Sequence, residues 1–176
     1  MPKIPFEEVA QFHGHVCPGL AIGYRMALAG LAALKEIRAE DEEIVAIVEN
    51  DACGVDALQY LAGCTFGKGN LIFHDYGKSV YTLFSRKTGQ GVRITYCADA
   101  IPKDIGDERA AKIDWILTAP EDALLRLKAV RIERPAKARI HESVRCDVCG
   151  ERVMATRVRK FENQTLCIPC WMKLAH

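Results

Sequence analysis

The spacing of apolar and polar residues along the first 130 positions predicts both helices and strands. Apolar residues that recur every three to four positions are typical of amphipathic helices, and short runs rich in β-branched and aromatic residues are typical of strands. The predicted helices are Phe6–Phe12, Pro18–Ile37, Gly54–Gly63, Asp107–Thr118 and Glu121–Val130. The predicted strands are Glu43–Glu49, Asn70–Asp75, Val80–Arg86 and Gly91–Cys97. Hairpin strands grouped between helices indicate an α+β domain, with a mixed or antiparallel sheet against which the helices pack.

Two pairs of cysteines dominate the C-terminal segment. Cys146 and Cys149 form the first pair, Cys167 and Cys170 form the second, and 17 residues separate the pairs. Because two thiolates two residues apart can hold one ion from a tight turn, this C-x2-C-x17-C-x2-C spacing predicts a tetrahedral structural zinc site. Four free thiols or two disulfides are the alternative. A segment this short rarely buries enough apolar surface to fold without a metal.

The residues around these cysteines predict the fold of the segment. Glu151–Thr156 and Arg157–Leu166 are predicted to be two strands of one hairpin, and Trp171–Leu174 a short helical turn. A cysteine knuckle, a hairpin and a second cysteine pair at a helix start describe a treble-clef zinc finger. We therefore expect an α+β core domain over residues 1–135, followed by a connector and the zinc finger over residues 136–176.

Composition and charge exclude several classes of protein. Apolar residues make up 49 % of the chain and charged residues 27 %, which excludes a disordered or collagen-like chain. The longest aliphatic stretch, near Leu20–Leu34, is interrupted by polar residues and glycines, and the N-terminus lacks the apolar run of a signal peptide. A cytoplasmic protein without membrane contact is therefore expected.

The net charge of +1 argues against nucleic-acid binding by the whole protein. The charge is uneven, because residues 136–176 carry +4 and the preceding residues carry −3. Arg157 and Arg159 would share one strand face of the finger. A solvated basic face and a nucleic-acid contact are the two interpretations of that face.

A dense group of metal-ligating residue types precedes the second predicted helix. His13, His15 and Cys17 alternate, so in an extended segment their side chains would point the same way. Imidazole and thiolate are the ligands of zinc and other borderline-soft metals. Cys17 also lies where the helix begins, a position that favours a reactive thiolate. Ordinary helix capping or core packing is the alternative for the two histidines.

A second group of polar residues surrounds Cys53. The segment Glu49–Asp56 follows a predicted strand and leads into a predicted helix, so Cys53 would also lie at a helix N-terminus. Polar and thiol groups at the exit of a strand are well placed to contact a ligand.

Four motifs of this chain together resemble one known family, the FmdE family of formylmethanofuran dehydrogenase. The motifs are F-H-G-H-V-C-P-G at Phe12–Gly19, E-N-D-A-C-G-V-D-A-L-Q at Glu49–Gln59, G-C-T-F-G-K-G-N-L at Gly63–Leu71 and D-Y-G-K at Asp75–Lys78. The family takes its name from a component linked to the molybdenum or tungsten enzyme of methanogenesis. The C-terminal finger is similar to a treble-clef extension found on some members.

The resemblance implies a homodimer with an α+β core and a metal-capable cleft. The core metal ligands that it implies are His13, His15, Cys17 and Cys53. The catalytic candidates are Cys17, His15 and Cys53. The outer candidates are Asp51, Asp56, Cys64 and Lys78. The expected cofactors are Zn²⁺ in the finger and a second divalent metal, zinc or another, in the core.

Two functions of different classes follow from these residues. The first is a metal-binding accessory protein of one-carbon metabolism, with a dehydrogenase complex and a small-molecule ligand as partners. If this protein is catalytic, it acts as an accessory component of a formylmethanofuran dehydrogenase-like oxidoreductase or by metal-assisted hydrolysis. The second is a zinc-finger regulatory module that contacts nucleic acid or protein while the core serves as a dimeriser.

Overall fold

The computed structural model describes residues 4–102, 105 and 108–174. The chain divides into two compact units, residues 1–138 and 139–176, which we call the core and the finger. None of the described helices is long and apolar enough to cross a membrane.

The core alternates helices and strands. Its helices are α1 (Phe6–His13), α2 (Pro18–Leu34), α3 (Gly54–Ala62), α4 (Arg109–Thr118) and α5 (Glu121–Leu124). Its strands are β1 (Ile44–Val48), β2 (Leu71–Phe73), β3 (Val80–Ser85), β4 (Gly91–Tyr96) and β5 (Leu125–Val130), with a 3-10 turn at Ala98–Ala100. The expected start of α4 at Asp107 lies outside the described residues.

The strands form one five-stranded mixed sheet in the order β2-β1-β3-β4-β5. Strands β1 and β2 run parallel, because α3 provides the crossover between them, and every other neighbouring pair is antiparallel. The expected α+β class with a mixed sheet is therefore confirmed. Val48 pairs with Phe73 at the C-terminal end of the two parallel strands. This edge of the sheet lies beside the candidate site.

Helix α2 packs closely on the sheet because its sequence is rich in small residues. A Cβ atom on Gly30 would lie 2.7 Å from the Leu83 side chain and 3.0 Å from that of Ile94. Glycine at this position therefore brings the helix backbone close to the sheet. The helix ends at Leu34 rather than at Ile37 as predicted, since Lys35 adopts a left-handed backbone conformation with φ of 54°.

The helix predicted over Glu121–Val130 is wrong. Helix α5 ends at Leu124, and residues 125–130 form the edge strand β5 paired with β4. The Leu, Arg, Lys and Ala residues of this segment favour helices. Leu125 and Leu127 nevertheless alternate with Arg126 and Lys128, and the unpaired edge of β4 supplies backbone partners that only the assembled sheet provides.

The finger contains two short hairpins and a helix. Its elements are β6 (Ser143–Arg145), β7 (Arg152–Met154), a 3-10 turn at Ala155–Arg157, β8 (Val158–Phe161), β9 (Gln164–Cys167) and α6 (Ile168–Leu174). Strand β6 pairs with β7, and β8 pairs with β9. The single hairpin predicted from Glu151–Thr156 and Arg157–Leu166 is therefore wrong. Strands of three or four residues are too short for their alternation to be recognised.

The turn between β8 and β9 has a local sequence cause. Glu162 and Asn163 both have positive φ, 45° and 68°. Two consecutive residues with positive φ make a two-residue type I′ turn, which Asn favours. The order of knuckle, hairpin and helix agrees with the treble-clef expectation.

Candidate metal centres

The core cluster begins where α1 ends and α2 starts. His13 is the last residue of α1, and Gly14 follows it in a left-handed conformation with φ of 93°. Cys17 is the N-cap of α2, where its Sγ accepts the Leu20 N–H at 3.3 Å. Between them, the Val16 carbonyl accepts a hydrogen bond of 2.7 Å from the Arg109 guanidinium. The loop is therefore held at both ends and in its middle.

Close packing of α2 and α3 brings Cys53 to this loop. A Cβ atom on Gly23 would overlap the backbone of Gly54, so the two helices touch through their glycines. A Cβ atom on Gly19 would lie 3.5 Å from the Cys53 Cβ and 4.0 Å from the Cys17 Sγ. Cys53, the N-cap of α3, thus lies against the N-terminus of α2.

The four predicted core ligands converge. One ligand atom from each of His13, His15, Cys17 and Cys53 lies within 4.8 Å of each of the others, and the two imidazole rings are 4.4 Å apart. The expectation that the first three share a face because they lie in an extended strand is wrong. A helix end and the Gly14 turn bring them together instead.

One nitrogen of His13 is already engaged by a carboxylate. The His13 Nδ1 lies 2.7 Å from the Asp56 Oδ2, and the other Asp56 oxygen accepts a bond of 3.4 Å from the Gln59 amide. The His13 side chain is only 10 % exposed, and its Nε2 is buried with no hydrogen-bond partner among the described residues. A histidine that binds a metal usually donates its second ring N–H to a carboxylate or carbonyl. A neutral His13 bonded to Asp56 in this way presents the Nε2 lone pair as a metal donor.

The two core thiols lie in surroundings that favour neutrality in the absence of a cation. Burial raises the pKa of the Cys53 thiol, and the neighbouring Cys17 sulfur raises it further. Two thiolates so close together repel each other. A divalent cation would offset that repulsion, so the donors present fit a bound metal ion.

Two imidazoles and two thiolates are a complete tetrahedral set for zinc. The members differ in accessibility, because Cys17 is buried, His13 and Cys53 are partly buried, and His15 is exposed. His15 is therefore the donor that an incoming molecule meets first.

A cleft of about 520 Å³ adjoins the cluster. Its walls combine carboxylates, amides, aromatic rings and aliphatic side chains, and it shares His13 and Cys53 with the cluster. The remaining lining residues are Val48, Asn50, Asp51, Ala52, Val55, Asp56, Gln59, Phe66 and Phe73.

The outer candidates fall into two groups. Asp51 and Asp56 line the cleft, and Asp56 contacts His13 directly. Cys64 is fully buried elsewhere, where its thiol lies 3.4 Å from the Ile44 carbonyl and burial raises its pKa to about 12. Lys78 places its ammonium 6.0 Å from the Tyr76 ring centre, so neither it nor Cys64 belongs to the cluster.

Sequence reasoning missed three residues of this site. Gln59 supports Asp56, while Phe66 and Phe73 form walls of the cleft. No sequence signal identifies Gln59, because its role depends on one turn of α3. Phe66 was recognisable in principle as an aromatic residue in a loop of glycines and polar residues.

The finger holds the second cluster. Ligand atoms of Cys146, Cys149, Cys167 and Cys170 all lie within 4.8 Å of one another. Gly150 turns the first knuckle with φ of 74°, and its N–H bonds to the Cys146 carbonyl at 2.9 Å. The Cys167 N–H donates to the Cys146 Sγ at 3.3 Å, and the Cys170 N–H to the Cys167 Sγ at 3.4 Å.

These contacts divide the finger thiols electrostatically. Backbone N–H groups of Cys149 and Cys167 lower the pKa of Cys146 to about 6. The sulfur of Cys167 raises the pKa of Cys170 to about 12, and burial adds to this. Because one thiolate stabilised by N–H groups opposes ionisation of its neighbour, four thiolates require a cation at their centre. The cluster fits a zinc ion.

Known proteins share this sequence and fold. A curated protein of Archaeoglobus fulgidus, named "Probable S-adenosyl-L-methionine-binding protein", is 33 % identical over 189 aligned positions. The alignment covers 91 % of this chain and 50 % of that protein, so the chain spans about half the length of this relative.

A solved structure is similar over almost the whole chain. The crystal structure of an FmdE-like protein of the tungsten formylmethanofuran dehydrogenase type, from Syntrophus aciditrophicus, matches with a TM-score of 0.72 at 26 % identity. The match covers 97 % of this chain and 91 % of that one. The family profile described as "FmdE, Molybdenum formylmethanofuran dehydrogenase operon" matches residues 12–126. The resemblance carried by the motif at Phe12–Gly19 is therefore confirmed, and the chain belongs to the FmdE family.

Proposed function

We propose that this protein binds two zinc ions, one structural in the finger and one in the core, and that it serves as an accessory protein of one-carbon metabolism. Family membership and the name of the similar Syntrophus protein support the metabolic assignment. The two converged donor clusters support the metal assignment.

A single observation carries the core site. His13 presents a buried, unpartnered Nε2 in the same small volume as a second imidazole and two sulfurs, within the part of the chain that the structure describes. An orphan buried nitrogen is costly unless something binds it. Asp56, held by Gln59, engages the other nitrogen of the same ring. This arrangement is expected of a ligand and its supporting carboxylate.

The residues around the core ion have distinct tasks. Cys17, Cys53 and His13 hold it from positions fixed by helix ends, whereas exposed His15 completes the set and can leave it. A zinc ion with one free position acts as a Lewis acid toward a carbonyl oxygen or water. Asp56 keeps His13 oriented, and the adjoining cleft provides room for a small molecule beside the ion.

Metal counting tests the proposal. The full chain, purified and analysed by inductively coupled plasma mass spectrometry, should contain two zinc ions per chain. Cys17→Ser and Cys53→Ser should each remove one ion, and Cys149→Ser should remove the other. Cys97→Ser is the matched control, because Cys97 lies outside both described clusters. One ion per chain in the wild type, unchanged by Cys17→Ser, would overturn the core site.

A second candidate function concerns the finger surface. The Arg159 guanidinium lies 5.9 Å from the Trp171 ring centre, and Arg152, Arg157 and Lys160 are exposed in the same unit. Basic and aromatic groups together favour contact with nucleic acid. This function requires a salt-dependent shift in RNA or DNA mobility that Arg157→Gln and Arg159→Gln abolish. Absence of any shift leaves the accessory role as the better proposal.

A further inference from the structure

The cleft beside the core cluster lies where ligands usually bind in sheets with parallel strands. Strands β1 and β2 end side by side at Val48 and Phe73, and the chain leaves β1 through Asn50 and Asp51 into α3. Ligands commonly bind outside the C-terminal ends of parallel strands, above the start of the following helix. The volume of about 520 Å³ is within the range of small-molecule sites.

The charge of the cleft selects against anions. Two carboxylates, those of Asp51 and Asp56, line it, and its described lining residues include no lysine or arginine. Phosphate- or carboxylate-bearing ligands would meet negative charge with no basic partner among these residues. The positive N-terminal end of α3 does not reverse this, because Asp56 in the first turn already interacts with it.

The polar groups of the cleft are unequally engaged. The Asn50 amide donates to the Lys78 carbonyl at 2.9 Å and its oxygen accepts the Ala52 N–H at 3.3 Å. Asp56 is bonded to His13 and Gln59. The Asp51 carboxylate is exposed and has no hydrogen bond or ion pair with any described residue. One negative charge of the cleft is therefore free for a ligand.

Two aromatic rings complete the walls. Phe66 is 66 % exposed and Phe73 is 38 % exposed, although both line the cleft. The Gly69 N–H donates to the Phe66 carbonyl at 3.0 Å, which holds the turn that carries the Phe66 ring. Exposed aromatic side chains around a cavity mark a binding surface. The face of an aromatic ring attracts cations, above all alkylated ones that are weakly hydrated.

We propose that this cleft binds a small organic cation, an alkylated ammonium or a group of the same charge and shape, between the rings of Phe66 and Phe73 and the Asp51 carboxylate. The inference rests on the proposed function in one respect, since His13 and Cys53 belong to both the cleft and the metal cluster. A cation held here lies next to the core metal. The two thiolates of the cluster would neutralise the charge of a zinc ion, so the metal adds no repulsion to the cation.

A matched pair of probes tests this inference. Choline and 3,3-dimethyl-1-butanol have the same shape and differ in charge. Each is titrated by calorimetry into the full chain, whose zinc content is measured on the same sample. Choline should bind at least tenfold more tightly than the neutral alcohol. Asp51→Asn and Phe66→Ala should each weaken choline about tenfold, the scale of a cation–aromatic or charge contact. Asp114→Asn, an exposed aspartate on α4 outside the cleft, should leave choline binding unchanged.

The possible results separate this inference from the metal proposal. Equal binding of the two probes, or choline binding that neither cleft substitution weakens, would overturn the organic-cation site. If choline fails to bind a chain that contains two zinc ions, the cleft inference is wrong and the metal proposal stands. If the chain contains one zinc ion but choline binds through Asp51 and Phe66, the metal proposal fails and the cleft remains a cation site.

Discussion

The finger takes its four donors from two C-x2-C pairs, whereas the core takes three donors from one loop and the fourth from a residue 36 positions further along the chain. In the finger, each pair lies on its own tight turn, so local geometry already fixes half of the site. In the core, Cys53 reaches Cys17 only because α2 and α3 touch at Gly23 and Gly54.

The two clusters also differ in their surroundings. Three of the four finger sulfurs are buried, and they pack with Leu166, Val153 and Trp171. The core cluster has one exposed donor, His15, and adjoins a cleft with two carboxylates and two exposed rings. An enclosed site stabilises a small fold, whereas a site with an accessible donor and an adjoining cavity can serve chemistry. This difference supports a structural role for the finger ion and a chemical role for the core ion.

The largest expected effect is the loss of the finger fold when its metal is removed. Zinc contributes roughly 10–16 kcal/mol in small zinc domains, more than such a small apolar cluster can replace. Chelation should collapse the amide dispersion of residues 139–174 in ¹H–¹⁵N NMR spectra and spare core amides. A finger whose dispersion survives metal removal would contradict the structural role.

Acid should have the same effect as the chelator. The pKa of Cys146 lies near 6, below its ordinary value, so its thiolate is present above that pH and becomes protonated below it. Protons then compete with the metal for sulfur, and zinc release is expected as pH falls rather than as it rises. Zinc release measured with a chromophoric chelator checks the direction.

Gly23→Ala should damage the core cluster and leave the finger intact. The added Cβ would overlap the Gly54 backbone, so α2 and α3 must separate, at a cost of about 1–3 kcal/mol in unfolding free energy. Cys53 would then move away from Cys17, and the chain should contain one zinc ion rather than two.

Gly67→Ala is the control for this substitution, since a Cβ there meets no atom within 4 Å. Thermal unfolding and metal counting on both variants make the measurement. A Gly23→Ala protein that retains two zinc ions would show that the helix contact does not position the cluster.

Asp56→Asn should have a smaller and more selective effect. The amide is a weaker partner for the His13 N–H than the carboxylate, so the core affinity for zinc should fall about 10- to 100-fold. The finger affinity should not change. Competition with a chelator of known affinity measures both sites, and Asp114→Asn is the matched control. Equal core affinities for wild type and Asp56→Asn would remove Asp56 from the metal's support.

Local pattern was sufficient for most core elements. The predicted helices at Phe6–Phe12 and Gly54–Gly63 correspond to α1 and α3 within one residue at each end, because their apolar periodicity and terminal glycines agree. Pattern failed at Leu125–Val130, where helix-favouring residues form a strand because the edge of β4 offers backbone partners. Propensity acts on neighbours in sequence, whereas sheet pairing here depends on a strand that lies far away along the chain.

By itself, the sequence determined the residue types available for metal binding, the spacing of the finger cysteines and the family. Those properties follow from residues that are near one another in the chain, or from motifs in a fixed order. Only the tertiary structure decided that Cys53 joins His13, His15 and Cys17, that Asp56 engages the His13 ring and that Phe66 and Phe73 form walls of one cleft. These contacts join segments separated by dozens of residues. Their physical reason is the packing of α2 on α3 and on the sheet, which no single segment encodes.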